Sequence, residues 1–156
     1  MGIFIMTIAR IVCFTGLLML SACGGTTQAE NTSIAFATVD ADNYSGIAAA
    51  KTTVVKDASA WSALWSEHKK NMMPPPALPA IDFSRQMVLG VFLGERPNGC
   101  YTVQIEKVTR ADKKLTVEYR EGIPPPNAIC TQALTAPSHL VAVERSDDAV
   151  EFVKKM

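Results

Sequence analysis

The chain has 156 residues, in which 15 Lys and Arg balance 15 Asp and Glu, so its formal net charge is zero. This length accommodates one domain with its own core and leaves little for a second. A neutral chain lacks the positive field that draws proteins to nucleic acid, and we therefore expect no nucleic-acid partner.

The N-terminal stretch has the composition of a secretory leader. Arg10 is its only base, residues 11–20 are almost wholly apolar, and no acidic residue precedes Glu30. The apolar part is too short for a comfortable bilayer span, so cleavage is the expected outcome. A retained N-terminal anchor helix is the alternative, and the true start is either Met1 or Met6.

The leader ends in Leu-Ser-Ala-Cys at positions 20–23, which resembles the lipobox of bacterial lipoproteins. The resemblance implies a signal peptide over residues 1–22 and a lipid on Cys23, which anchors the protein to a membrane of the cell envelope. By the sorting rules of lipoproteins in double-membraned bacteria, Gly24 in place of Asp indicates the outer membrane. Residues 23–32 are small and polar and predict a flexible tether.

The domain is expected to span residues 33–156 and to begin with two strands. Ile34 and Phe36 alternate with small residues, which is typical of a strand. A turn-rich segment follows over residues 40–46, and residues 52–56 predict a second short strand.

A helix is predicted from about Ala58 to Lys70, with Asp57 as a favourable N-cap. Four large side chains recur at i, i+3, i+4 and i+7, which places them on one helical face: Trp61, Leu64, Trp65 and His68. This spacing favours a core face over a ligand site for the tryptophans. Four prolines then predict an extended connector over residues 72–80.

The remaining sequence predicts strands throughout. Residues 87–93 form a continuous apolar run, as in a strand buried on both faces, and residues 101–106 and 115–120 alternate as in an antiparallel hairpin. Further strands are predicted over residues 129–134, 139–145 and 149–153. The whole pattern indicates an α+β fold with a mainly antiparallel β-sheet of about seven or eight strands and one amphipathic helix.

Cys100 and Cys130 are the thiols that remain once the leader is removed and Cys23 takes a lipid. Outside the cytoplasm they can close a loop of about thirty residues with a disulfide, which stabilises a fold by roughly 3 to 4 kcal/mol. Two unpaired buried cysteines are the alternative. No metal site is expected, because these thiols and the distant His68 and His139 lack the spacing of a metal motif.

The sequence offers no complete catalytic apparatus. It has two histidines and lacks a Gly-x-Ser-x-Gly elbow, a Walker loop, an HExxH motif and an EF-hand pattern. Nearly all of its 15 acidic residues are expected on exposed faces or in turns, where solvation explains them. We therefore expect a non-enzymatic protein that uses no cofactor.

Two segments rich in Pro, Asn and Gly stand out, at residues 93–101 and 122–137. Loops that proline holds in fixed conformations lose little freedom on binding and so suit partner recognition. A bridge between Cys100 and Cys130 would join them into one surface, the loop patch; well-built turns without a binding role are the alternative. Its predicted partner-binding residues are Glu95, Arg96, Pro97, Asn98, Gly99, Tyr101, Thr131 and Gln132.

The same residues carry a family resemblance. The relevant stretches are residues 45–47 (Ser-Gly-Ile), 61–65, 81–84 and 91–97, the triple proline, and residues 131–135 with Pro137. Together they resemble the C-terminal domain of the PrcB family, lipoproteins associated with the stability of a surface protease complex. The resemblance implies a non-catalytic subunit that binds and stabilises a secreted protease or another envelope complex. Members typically have Gly where this chain has Cys100, which makes a local disulfide plausible here.

A weaker likeness is to chagasin-type cysteine-protease inhibitors. Their Asn-Pro-Thr-Thr-Gly-Tyr loop has the Pro-to-Tyr spacing of Pro97 and Tyr101. It implies the alternative function, direct protease inhibition by the Arg96–Tyr101 loop. Cys100 replaces the glycine before the tyrosine, and the other loop motifs of these inhibitors are absent.

Overall fold

The computed structural model describes residues 31–156. They form one helix, α1 (Ala58–His68), and eight strands: β1 (Thr32–Ser33), β2 (Phe36–Asp42), β3 (Lys51–Val55), β4 (Gln86–Phe92), β5 (Thr102–Ala111), β6 (Lys114–Gly122), β7 (Ser138–Glu144) and β8 (Ala149–Lys155). This confirms the predicted α+β class. The predicted signal peptide, the lipid on Cys23 and most of the tether lie outside the described residues.

The strands form two four-stranded sheets. Sheet A has the order β1-β5-β6-β8, and sheet B has the order β2-β7-β4-β3. Neighbouring strands are antiparallel except β6 and β8, which are parallel. Thr32 of β1 pairs with Arg110 near the end of β5, so the chain enters the domain on sheet A.

Sheet B lies between sheet A and the helix. One face of its central strand β4 contributes Met87, Leu89 and Val91 to the core between the sheets. The other face places Val88 and Phe92 against α1. All five side chains are at most 2% exposed, which confirms the strand predicted to be buried on both faces.

Helix α1 directs the four predicted side chains to the core: Trp61, Leu64, Trp65 and His68. Asp57 is the N-cap, and its Oδ1 accepts a hydrogen bond of 2.8 Å from the Ala60 N–H. The helix ends at His68, two residues before the predicted end. No helix among residues 31–156 is long and apolar enough to span a membrane.

The proline-rich connector packs along the helix. The Trp61 indole N–H donates to the Pro79 carbonyl at 2.9 Å, and the Trp65 indole N–H donates to the Pro76 carbonyl at 3.1 Å. The buried tryptophans serve the core, as their spacing predicted, and they also hold the connector through these two hydrogen bonds.

The β5–β6 hairpin is also confirmed. Its two turn residues, Asp112 and Lys113, have φ of 48° and 59°. A two-residue turn with both φ values positive matches the twist of antiparallel strands.

The strand predicted over residues 129–134 is wrong. This segment is irregular, and regular pairing begins only at Ser138. Instead of a ladder it has the disulfide at Cys130 and one hydrogen bond from the Gly99 N–H to the Thr131 carbonyl. The apolar side chains that suggested a strand are exposed, as described below.

The turn predicted to begin at residue 40 is also displaced. Strand β2 continues through Asp42 and pairs with β7 up to Ser138, with an irregularity between Thr38 and Asp40. Pairing with a central strand outweighs the poor strand propensity of aspartate at these positions.

Candidate functional site

The loop patch lies at the end of the sheets where β5 begins. A disulfide joins Cys100 to Cys130, with 5.5 Å between their Cα atoms. Beside it, the Gly99 N–H donates to the Thr131 carbonyl at 3.0 Å. The predicted bridge is confirmed, and it does connect the two loop segments.

Arg96 points into the fold and not toward solvent. Its Nε donates to Glu121 Oε1 at 2.9 Å, and its Nη1 donates to the carbonyls of Leu93 and Glu95 at 2.8 and 3.0 Å. The guanidinium carbon also lies 5.8 Å from the ring centre of Tyr101. Arg96 therefore acts as a brace under the loop.

Glu121 is the anchor of that brace. Its side chain is 7% exposed and forms ion pairs with both Arg96 and Lys154. Burial raises the pKa of Glu121, but the hydrogen bonds from Lys154 and Arg96 outweigh it, so the pKa lies below its ordinary value. A buried carboxylate that holds two cations fixes the position of the loop above it.

Backbone bonds pin the rest of the Arg96–Tyr101 loop. Arg96 and Thr135 exchange two backbone hydrogen bonds of 2.7 and 3.0 Å, and Thr135 Oγ1 donates to the Asn98 carbonyl at 2.8 Å. Asn98, Gly99, Cys100 and Tyr101 are half-buried as a result. Among the predicted partner-binding residues, the exposed ones are Glu95, Pro97, Thr131 and Gln132.

Four exposed apolar side chains at the same end of the fold escaped the sequence reasoning. Tyr44, Ile123, Ile129 and Leu134 are 54%, 66%, 102% and 69% exposed. They lie on the loops after β2 and β6 and on the disulfide-linked segment. Exposed apolar side chains that gather at one end of a fold are candidates for contact with another protein. The apolar residues of segment 129–134 could have indicated this surface, but the same pattern is also typical of a strand.

A surface groove of about 410 Å³ lies beside the loop patch, lined by Tyr44, Ser45, Gly46, Ala48, Asn71, Glu95, Leu134, Thr135 and Ala136. Its walls are fixed by backbone hydrogen bonds: Ser45 N–H donates to the Ala136 carbonyl at 3.1 Å, and Glu95 N–H donates to the Ala48 carbonyl at 3.0 Å. Gly94, with φ of 73°, allows this close approach, since a Cβ there would lie 2.6 Å from the Ala48 oxygen.

Residues 87–144 match the family model described as PrcB C-terminal. We call this matched segment the PrcB region. The match supports the family membership predicted from the sequence, and it runs from β4 to the end of β7. Comparisons with curated proteins and with solved structures gave no match.

The PrcB region contains every predicted residue of the loop patch, from Glu95 to Gln132, together with Ile123, Ile129 and Leu134. This match suggests a subunit associated with a protease complex and is consistent with a non-enzymatic role. The groove is lined partly by the PrcB region and partly by residues outside it, such as Tyr44 and Ala48 in the loop after β2.

Outside the PrcB region, Ser45 begins a buried hydrogen-bond chain. Ser45 Oγ lies 2.8 Å from His68 Nδ1, and His68 Nε2 lies 2.9 Å from Asp40 Oδ2. Serine hydrolases connect the same three residue types, but there Nε2 contacts the serine and Nδ1 the aspartate, the reverse of the order at His68.

The surroundings of Ser45 lack the other parts of a hydrolase. Ser45 is 5% exposed and His68 is fully buried, so a substrate cannot readily reach the hydroxyl. The backbone N–H groups of Ser45, Gly46 and Ile47 are all engaged, with the Ala136 carbonyl, the His68 carbonyl and Ser45 Oγ as acceptors. An oxyanion hole requires donors aimed at the reacting group. These hydrogen bonds instead connect β2 and the loop that follows it to α1.

The prediction that acidic residues are solvated is wrong for Asp40 and Asp42, as for Glu121. Their side chains are 19% and 9% exposed, and Lys69 Nζ lies 2.9 Å from Asp40 and 2.7 Å from Asp42. Burial raises the pKa of Asp40, but hydrogen bonds from His68 and Lys69 outweigh it and lower the pKa.

This cluster also brings together three groups of a kind that binds metals. Ligand atoms of Asp40, Asp42 and His68 lie within 4.8 Å of one another, although their sequence spacing follows no metal motif. The Lys69 ammonium contacts both carboxylates and supplies the positive charge that compensates them.

Proposed function

We propose that this chain is a non-catalytic accessory subunit that binds and stabilises a secreted protease or another envelope complex. A lipid on Cys23 anchors it to the envelope, in the outer membrane rather than the inner. The match of residues 87–144 to the PrcB C-terminal model carries the proposal, because that segment contains the loop patch.

The surface of the loop patch supports protein binding. It combines exposed apolar side chains, such as Ile129 and Leu134, with polar neighbours such as Gln132. The disulfide and the Arg96 brace hold these loops in place, so little conformational freedom is lost when a partner binds.

The residues of the loop patch divide into two roles. Glu95, Pro97, Thr131 and Gln132 are exposed and contact the partner directly. Arg96, Asn98, Gly99 and Tyr101 hold the loop from beneath.

The disulfide supports location outside the cytoplasm. Structural disulfides persist in oxidising compartments such as the periplasm and the cell surface and are rare in the cytosol. The bridge between Cys100 and Cys130 therefore agrees with the export signal at the N-terminus.

Capture from the native envelope tests the binding role. The tagged full chain is expressed in its own host, the envelope is dissolved in mild detergent, and captured proteins are identified and assayed for proteolysis. We expect an active protease at near-stoichiometric amount, and less protease in the envelope of a strain that lacks the chain. A captured protease without activity would favour the inhibitor alternative, and no stoichiometric protein would contradict the proposal.

Metabolic labelling tests the anchor. Labelled palmitate should enter the wild-type chain and not the Cys23→Ser variant, and the wild-type chain should sediment with outer-membrane markers. A wild-type chain that takes up no label, or that keeps its leader in a soluble fraction, would remove the anchor from the proposal.

A further inference from the structure

Glu95 is the one charged side chain that lines the groove described above. It is exposed, and its carboxylate forms no ion pair with a cationic group of residues 31–156. Tyr44 and Leu134 line the same groove and are themselves largely exposed. The groove thus combines two large exposed side chains, Tyr44 and Leu134, with one negative charge that has no ion-pair partner among residues 31–156.

We propose that this groove holds a Lys or Arg side chain of the protein partner. The inference rests on the proposed function, since it names the chemistry with which a partner engages the loop patch. The aliphatic stem packs against Leu134 while the cationic head reaches Glu95, as long basic side chains commonly do. The Tyr44 ring offers a further cation–π contact.

Other occupants fit the groove less well. An acidic side chain would be repelled by Glu95, and a purely apolar one would cover that carboxylate without pairing it, which costs free energy. Lys70 packs close to Gly46, since a Cβ on Gly46 would lie 2.6 Å from its Cγ. Lys70 and Glu95 nevertheless form no ion pair with each other. Glu95 therefore remains available to a cation from another protein.

The groove is also preorganised. The backbone bonds from Glu95 to Ala48 and from Ser45 to Ala136 fix its two sides, and Gly94 allows them to approach. A rigid groove loses little freedom when it accepts a side chain, which favours recognition of a single residue type.

A titration of the full chain tests the charge preference without knowledge of the partner. The probes are capped tripeptides, acetyl-Gly-Arg-Gly-amide and its uncharged isostere with citrulline in place of Arg, and the readout is the NMR shift of the Leu134, Ala48 and Ala136 methyl groups. We expect the Arg peptide to bind about 2- to 5-fold more tightly than the citrulline peptide, with the difference reduced at high salt.

Two substitutions complete the test. Glu95→Gln should abolish the preference for Arg, whereas Glu144→Gln should retain it. Glu144 is the matched control, because it is exposed, forms no ion pair among residues 31–156 and lies at the other end of the fold.

Equal binding of the two peptides, or shifts confined to other methyl groups, would overturn the inference. If the wild-type chain captures a protease but lacks the Arg preference, this inference fails while the proposed function stands. If the chain prefers the Arg peptide but captures no stoichiometric protein from the envelope, the proposed function fails while the cation preference of the groove stands.

Discussion

His139 Nδ1 accepts a hydrogen bond of 2.8 Å from the backbone N–H of Ile105, and so joins β7 of sheet B to β5 of sheet A. Its Nε2 lies 3.0 Å from Thr38 Oγ1. An imidazole nitrogen accepts only when it carries no proton, so this contact requires neutral His139. The link between the two sheets therefore depends on the protonation state of one side chain.

This link should make stability depend on pH. Burial lowers the pKa of His139 from its ordinary value of 6.5, and the opposing charge of Asp40 does not offset it. The unfolded chain thus binds the proton more tightly than the folded one. The contribution of His139 is complete above about pH 6.5 and declines as the pH falls toward the lowered folded pKa, by at most about 1.4 kcal/mol per pH unit.

Urea unfolding of the wild type and of His139→Gln over this pH range provides the measurement. Glutamine keeps an acceptor for Ile105 and a donor for Thr38 but does not titrate. The variant should lack the decline just below pH 6.5, while both proteins lose stability at lower pH as Asp40 and Glu121, whose pKa values are lowered, take up protons. Parallel curves for the two proteins would assign the decline to other groups.

Removal of the disulfide should destabilise the domain. The bridge closes a separation of 30 residues, and chain entropy gives a loss of roughly 3 to 4 kcal/mol for a Cys100→Ala, Cys130→Ala double variant. Denaturant unfolding measures the change, and reduced wild-type protein should match the variant. Equal stability of oxidised and reduced protein would show that the bridge does not constrain the unfolded chain.

The exposed apolar side chains should matter for binding and not for folding. Because Ile129 and Leu134 are 102% and 69% exposed, changing both to Ser should alter stability by less than about 0.5 kcal/mol. Capture of the partner should weaken at least about 5-fold, as for a residue pair worth more than 1 kcal/mol at an interface. Leu78→Ser, an exposed leucine on the proline connector, is the matched control. Equal capture by the double variant and this control would place the binding surface elsewhere.

Ser45→Ala should act on stability alone. The change leaves the Ile47 N–H and His68 Nδ1 without a partner in a buried site, which costs about 1 to 3 kcal/mol. Thermal unfolding measures this loss, with the exposed Ser62→Ala as control. If the wild type has an esterase activity that Ser45→Ala abolishes, the Ser45-His68-Asp40 hydrogen bonds would instead be catalytic.

Local patterns in the sequence predicted most of the elements. The apolar run of β4 and the recurrence of Trp61, Leu64, Trp65 and His68 in α1 each encode their burial within a few residues. The order of the strands within each sheet could not be predicted in this way. The parallel pairing of β6 with β8, for example, joins two strands that β7 separates along the chain.

The candidate site was predictable in location but not in detail. Proline, asparagine and the two cysteines marked the loops, yet the direction of Arg96 depends on Glu121, which lies 25 residues away along the chain. Lys69 likewise meets Asp40 and Asp42 only because α1 packs beside the end of β2. Contacts between distant residues decide which predicted side chains face solvent and which hold the loop.

The entry of the chain at β1 places the predicted tether at the end of the domain opposite the loop patch. Thr32 pairs with Arg110, whereas Cys100 precedes the start of β5, a strand of ten residues that spans about 34 Å. Eight residues lie between Cys23 and Thr32. The nine Cα-to-Cα steps limit the tether to about 32 Å. With Cys23 in the bilayer as proposed, the tether joins the domain at the end opposite Cys100, which leaves the loop patch accessible to a secreted enzyme in the aqueous space.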